Sequence, residues 1–130
     1  MNITSLDHLV LTVVDIDIIA DFYVNILGME KQVFGDNRIA LKFGNQKINL
    51  HQKGHEIKPN AQQAVCGSAD LCLLTDMPLS QVMHHLAIHQ VAVIDGIVPR
   101  TGAKGAIQSI YIRDPDGNLI EISQYLDVLN

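Results

Sequence analysis

Five polar side chains occupy predicted strand positions, where apolar side chains are expected: His8, Asn49, His51, Asp70 and Glu121. Imidazole nitrogen and carboxylate or amide oxygen together suit a borderline divalent ion such as Zn, Ni, Co, Mn or Fe(II). Buried carboxylates and imidazoles are costly unless they are paired or bound to a metal. Two interpretations therefore stay open, namely hydrogen-bonded structural pairs and a divalent metal site.

Four of these residues are related by an internal repeat. The segment 7–11 (DHLVL) corresponds to 69–73 (ADLCL), which makes His8 and Asp70 equivalent. The segment 48–51 (INLH) corresponds to 120–123 (IEIS), which makes Asn49 and Glu121 equivalent. His51 is two residues beyond Asn49 and so projects from the same face of its strand.

The elements that position these residues follow from hydrophobic periodicity. In the first half, Asp15 or Asp17 is the predicted N-cap of a helix, and Gly28 is its predicted left-handed C-terminal cap. The helix stripe of Ile19, Phe22 and Tyr23 has helical spacing and is assigned to the core. Alternating patterns separated by turn residues predict strands at 6–13, 30–34, 38–43 and 46–52.

The second half repeats this order after a polar segment, 53–66, that we interpret as a linker. Strands are predicted at 69–75, 91–95, 107–113 and 118–125, with a helix starting near Pro78, a glycine-bearing loop at 96–106 and a tight turn at 114–117. The chain is therefore predicted to be α+β, with βαβββ modules at about 4–52 and 67–126 that share one domain over residues 1–130. Neither module could bury both faces of its sheet alone.

Composition excludes several classes of function. The chain has 130 residues, with 9 Lys and Arg against 14 Asp and Glu, so its net charge of −5 disfavours nucleic acid as a partner. No apolar run reaches the ~20 residues of a membrane helix, and the first residues do not resemble a secretory signal. We expect a soluble, cytoplasmic protein without a membrane partner. Cys66 and Cys72 match no zinc or redox spacing and are assigned no function.

Three segments resemble a known superfamily across nearly the whole chain. They are LDHLVLTV with ADFYVNILGM, KINLH, and IYIRDPDGNLIEIS. They resemble the vicinal oxygen chelate superfamily, which includes glyoxalase I, bleomycin resistance proteins and extradiol dioxygenases. FGNQKINLH and VPRTGAKG are most similar to glyoxalase domain-containing protein 5-like proteins. The resemblance implies paired βαβββ modules that form a curled, cup-shaped mixed sheet.

The resemblance also implies one divalent ion per site and a set of ligands. His8 matches the family's first-strand ligand, and Glu121 matches its last-strand glutamate, which is the catalytic acid and base. Asp70 stands where glyoxalase I has a histidine, and Asn49 stands where it has a glutamate. The predicted ligands are thus His8, His51, Asp70 and Glu121, with Asn49 as the alternative to His51.

The implied activity is that of a lyase or isomerase resembling glyoxalase I (lactoylglutathione lyase). It would convert a hemithioacetal of a 2-oxoaldehyde and glutathione, or a related small metabolite, through a metal-stabilised enediolate. Arg100 and Lys104, in the loop VPRTGAKG, and Tyr111 are the candidate substrate-binding residues. The alternatives are a mononuclear Fe(II) dioxygenase or thiol transferase on the same fold, and a non-catalytic small-molecule-binding protein of the resistance type. A homodimer is expected.

Overall fold

The structure is a computed structural model that describes residues 1–126. The chain divides into two compact units, unit 1 at Met1–Gly67 and unit 2 from Ser68 onwards. Each unit has one helix and one mixed four-stranded sheet. The predicted fold class of two βαβββ modules is confirmed, while the last residues of the predicted single domain, 127–130, lie outside the described part.

Unit 1 contains strands β1 to β4 and helix α1. Its sheet has the order β1-β4-β3-β2, in which β1 and β4 are parallel and the other neighbours are antiparallel. The bounds are β1 His8–Val13, α1 Ile16–Asn25, β2 Glu30–Phe34, β3 Arg38–Phe43 and β4 Gln46–Gln52.

The predicted caps of α1 are confirmed. The side chain of Asp15 accepts hydrogen bonds from the backbone of Asp17 and Ile18, which satisfies two otherwise unpaired N–H groups. Gly28 has a φ of +76°, and its N–H donates to the Val24 carbonyl. The apolar stripe of this helix is buried as predicted, and α1 packs against β2, β3 and β4.

Unit 2 contains strands β5 to β8 and helix α2, in the sheet order β5-β8-β7-β6. The bounds are β5 Asp70–Leu74, α2 Leu79–Ile88, β6 Asp95–Gly102, β7 Gly105–Arg113 and β8 Leu119–Tyr125. The predicted turn after β7 is present, because the side chain of Asp114 accepts from the backbone N–H groups of Asp116 and Asn118.

Strand register confirms the internal repeat. In unit 1, Val10 of β1 is paired with Asn49 of β4. In unit 2, Cys72 of β5 is paired in the same parallel sense with Glu121 of β8. Asn49 and Glu121 therefore occupy equivalent positions in two sheets of the same strand order.

The predicted loop at 96–106 is wrong, as is the strand predicted at 91–95. Residues 91–94 belong to no strand, whereas β6 runs from Asp95 to Gly102 and forms a hairpin with β7. Glycines and Pro99 in this segment indicate a loop by composition. Because β6 is the edge strand of its sheet, one side of it needs no ladder hydrogen bonds, and a proline is tolerated there. Arg100 is thus a strand residue and Lys104 lies in the hairpin turn.

Among residues 1–126, no helix is long and apolar enough to span a membrane.

Candidate functional site

In unit 1, one face of the sheet carries His8, Asn49 and His51. Side chains alternate along a strand, and the register pairs Val10 with Asn49 and Thr12 with His51, so all of these residues share that face. His8, at the start of β1, is not buried as its strand position predicts, since 42% of its side chain is exposed. Its Nδ1 lies 2.8 Å from Oδ1 of Asp7, an arrangement that orients an imidazole and leaves Nε2 available.

Asn49 and His51 differ from His8 because both are 5% exposed. The Asn49 Oδ1 atom and both ring nitrogens of His51 are buried, and none has a hydrogen-bond partner among residues 1–126. Burial, followed by the positive charge of Arg38, lowers the pKa of His51, while Glu56 acts in the opposite direction. These buried nitrogen and oxygen atoms are therefore available to form hydrogen bonds with a ligand or to coordinate an ion.

In unit 2, the equivalent face centres on Glu121. The Ser109 hydroxyl donates to Oε2 of Glu121 at 2.6 Å, and Ser123 lies 3.4 Å from the same oxygen. Ser109 and Ser123 are themselves 2.6 Å apart, and the Cys72 thiol is 3.3 Å from Ser123. Ser109 and Ser123 were not predicted as site residues, although β7 and β8 alternation could have placed them on this face.

The direction of donation is fixed only at the carboxylate end of this network. Ser109 and Ser123 both donate to Oε2 of Glu121. Between Ser109 and Ser123, and between Ser123 and Cys72, either atom can be the donor. Desolvation raises the pKa of Cys72, as do Glu121 and Asp70, whereas the hydrogen bond with Ser123 lowers it.

One predicted substrate-binding residue, Tyr111, lies beside Glu121, and a second, Arg100, contacts Tyr111. Tyr111 is paired with Glu121 across β7 and β8, and Arg100 Nε donates to the Tyr111 hydroxyl at 2.9 Å. Lys104 is not part of this group, because it lies in the turn that joins β6 and β7, where its N–H donates to the Tyr125 hydroxyl. Asp70, at the exposed start of β5, faces the same side as Glu121.

The donor chemistry of the predicted residues fits a divalent ion. Each of His8, Asn49 and His51 has a nitrogen or oxygen without a partner among the described residues, and the described hydrogen bonds of Glu121 all go to Oε2. Among residues 1–126, no three or more His, Cys, Asp or Glu side chains are grouped as a metal site. The described residues therefore supply donor atoms of a suitable kind but not an assembled ligand set.

Comparison with known proteins decides the family. Residues 5–122 match the family model of the Glyoxalase/Bleomycin resistance protein/Dioxygenase superfamily. This chain belongs to that superfamily. It is 52% identical over 126 residues to Virulence protein STM3117 of Salmonella typhimurium, covering 97% of this chain and 88% of that protein. The crystal structure of that protein has a TM-score of 0.95 and the alignment covers 97% of this chain and 100% of that chain.

A second relative is named as a glyoxalase domain-containing protein. The chain is 51% identical over 127 residues to Glyoxalase domain-containing protein RDO1 of Mycosarcoma maydis, with 98% of this chain and 72% of that protein covered. The fold is shared with Lactoylglutathione lyase from Agrobacterium tumefaciens, at a TM-score of 0.72 and 20% identity, with 95% of each chain covered. The superfamily membership predicted from the sequence is thus confirmed.

Proposed function

We propose that this superfamily member is a metal-dependent lyase or isomerase resembling glyoxalase I. Its substrate would be the hemithioacetal of a 2-oxoaldehyde and glutathione, or a related small metabolite. The observation that carries the proposal is the carboxylate of Glu121, which is held through one oxygen by Ser109 on a polar sheet face. A carboxylate positioned in this way is suited to moving a proton between adjacent carbon atoms.

The proton transfer assigned to Glu121 is balanced within the substrate. The carboxylate takes the proton from the carbon bonded to sulfur and returns it to the neighbouring carbon. The hydroxyl proton of the first carbon moves to the carbonyl oxygen of the second, so that the hemithioacetal becomes a 2-hydroxy thioester. Ser109 holds the Oε2 atom during both steps and so limits rotation of the carboxylate.

The groups beside Glu121 support binding of an anionic substrate. Tyr111 is its cross-strand neighbour, and Arg100, which is exposed, donates to the Tyr111 hydroxyl. The guanidinium also lies 3.7 Å from Asp95, a contact that a substrate carboxylate would have to displace or share. An arginine suits the carboxylates of glutathione because its planar donors match carboxylate geometry.

The residues proposed to hold the divalent ion are His8, Asp70 and Glu121, with Asn49 or His51 as a further donor. When bound, the ion would act as a Lewis acid that stabilises negative charge on the substrate oxygens. Asp7, which contacts Nδ1 of His8, would fix the imidazole so that Nε2 is the ligand atom.

The test combines metal restoration with one substitution. Chelator-stripped protein is supplied with Ni, Zn, Co, Mn or Fe(II) and assayed for turnover of the methylglyoxal–glutathione hemithioacetal. With the most active ion, Glu121→Gln should lower kcat by about 100- to 10,000-fold, because the acid and base is removed. Glu30→Gln, which changes an exposed strand carboxylate in unit 1, should keep wild-type turnover. Full activity of Glu121→Gln, or no turnover with any of these ions, would refute the proposal.

A further inference from the structure

Unit 1 contains a cavity beside His51, on the sheet face that also carries His8 and Asn49. Its volume is about 330 Å³, at the lower end of the range of ~300–1,000 Å³ for small-molecule pockets. Strands β1 and β4 form one side of it, and the segment after the cis Lys58–Pro59 bond forms the other. The lining residues are Val10, Thr12, His51, Pro59, Asn60, Ala61 and Ala64.

His51 is the unusual member of this lining. Only 5% of its surface is exposed, and neither of its ring nitrogens has a hydrogen-bond partner within the described part of the chain. A buried polar atom without a partner costs about 1–3 kcal/mol. Such groups are rare in folded proteins, and each points to a missing water, ion or ligand.

The lining favours an organic ligand over water alone. A buried water needs 2–4 polar partners, whereas Val10, Pro59, Ala61 and Ala64 offer no polar side-chain atom. The cavity volume corresponds to roughly ten water molecules at ~30 Å³ each, too many for the side chains of Thr12, His51 and Asn60 to order. A molecule with an apolar body would cover the apolar lining and still reach the imidazole.

The chemistry of the lining also restricts the charge of the ligand. Among residues 1–126, no Asp, Glu, Lys or Arg lines the cavity, so a charged ligand would lose its hydration without gaining an ion pair with these residues. A neutral imidazole offers one donor and one acceptor, and the Thr12 hydroxyl lies opposite His51 in the register. A primary carboxamide or an alcohol presents the matching pair of groups.

We propose that unit 1 carries a binding pocket for a small neutral molecule that has an apolar body and a carboxamide or hydroxyl group, with His51 as its polar anchor. The proposal goes beyond the lyase function and does not depend on it, since Glu121 belongs to unit 2. It assigns His51 to the pocket and so leaves Asn49 as the further donor to the ion of the proposed lyase.

The test uses benzamide as the probe, with the full chain and with chelator present. Binding is followed by titration with NMR detection of the His51 ring nitrogens. We expect saturable binding, a shift of the ring nitrogen signals, and binding weakened about tenfold or more by His51→Leu. His55→Leu is the matched control, because His55 is exposed and does not line the cavity. Ala61→Leu, which reduces the cavity volume, should also weaken binding.

The affinities of related probes and the melting temperature distinguish a ligand-binding His51 from one that is only structural. Toluene, benzoate and benzylamine should all bind more weakly than benzamide. His51→Leu should raise the melting temperature of the free protein, because it removes two unpaired polar atoms. Equal binding of toluene, tighter binding of either charged probe, no binding of benzamide, or unchanged affinity in both His51→Leu and Ala61→Leu would overturn the proposal. Since the assay contains chelator, none of these results depends on metal-dependent turnover.

Discussion

At the scale of single residues, the serine next to Glu121 decides how the carboxylate can act. Ser109 donates to Oε2 at 2.6 Å, and Ser123 lies farther from the same oxygen, at 3.4 Å. A hydrogen bond to a charged acceptor is worth ~1.5–3 kcal/mol. Ser109 is therefore a positioning residue in the proposed reaction.

Substitution of Ser109 should affect turnover more than binding. We expect Ser109→Ala to lower kcat about tenfold with KM nearly unchanged, because substrate contacts remain and only the carboxylate is less constrained. Ser109→Thr retains the hydroxyl and should restore most of the activity. Steady-state kinetics on the metal-restored protein measures both constants, and an equal loss in the threonine variant would contradict the positioning role.

At the scale of elements, the β6–β7 hairpin depends on glycines whose conformations other residues rarely adopt. Gly96 has a φ of +132°, and a Cβ atom there would lie 2.8 Å from the Ile110 Cα atom. Gly105 has a similar φ of +140°, but a Cβ atom there would meet nothing within 4 Å. Substitution at Gly105 would therefore add backbone strain alone, whereas substitution at Gly96 would add both backbone strain and steric overlap.

We expect Gly96→Ala to lower the free energy of unfolding by about 2–6 kcal/mol, which combines ~1–3 kcal/mol of backbone strain with a similar cost of overlap. Gly105→Ala should lower it by about 1–3 kcal/mol, since only the cost of backbone strain applies. Urea denaturation measures both values. Equal losses in the two variants would show that contact with Ile110 is unimportant.

At the scale of the whole molecule, the two units repeat one design with different side chains. Asn49 and Glu121 occupy equivalent positions, as do His8 and Asp70, so each sheet carries a different part of the proposed ligand set. A metal that binds only the folded chain stabilises it by mass action. Thermal stability is therefore a measure of the proposed ligand set that does not require turnover.

A divalent ion at about 100 times its Kd should stabilise the protein by ~2.7 kcal/mol. For a chain of this size we expect a rise in Tm of roughly 10 °C over the chelated protein. His8→Gln and Glu121→Gln should each lose most of that rise, and Glu30→Gln should keep it. Thermal melts with and without chelator test this prediction, which fails if Glu121→Gln retains the full metal-dependent rise.

The sequence alone determined the order of elements, the caps of the first helix and the sharing of a face by Asn49 and His51. These features depend on local periodicity and turn chemistry, which neighbouring residues set. The superfamily was also predictable, because its segments are spread over nearly the whole chain.

Only the tertiary structure decided that Asn49 Oδ1 and the His51 ring nitrogens are buried without partners among residues 1–126. It also decided that His8 is exposed and that Ser109 holds Glu121. It also decided that the glycine-rich segment around Pro99 is an edge strand. Burial and hydrogen-bond partners depend on strands that are distant in the sequence. A strand at the edge of a sheet also tolerates a proline that an inner strand would not. Local patterns carry neither kind of information.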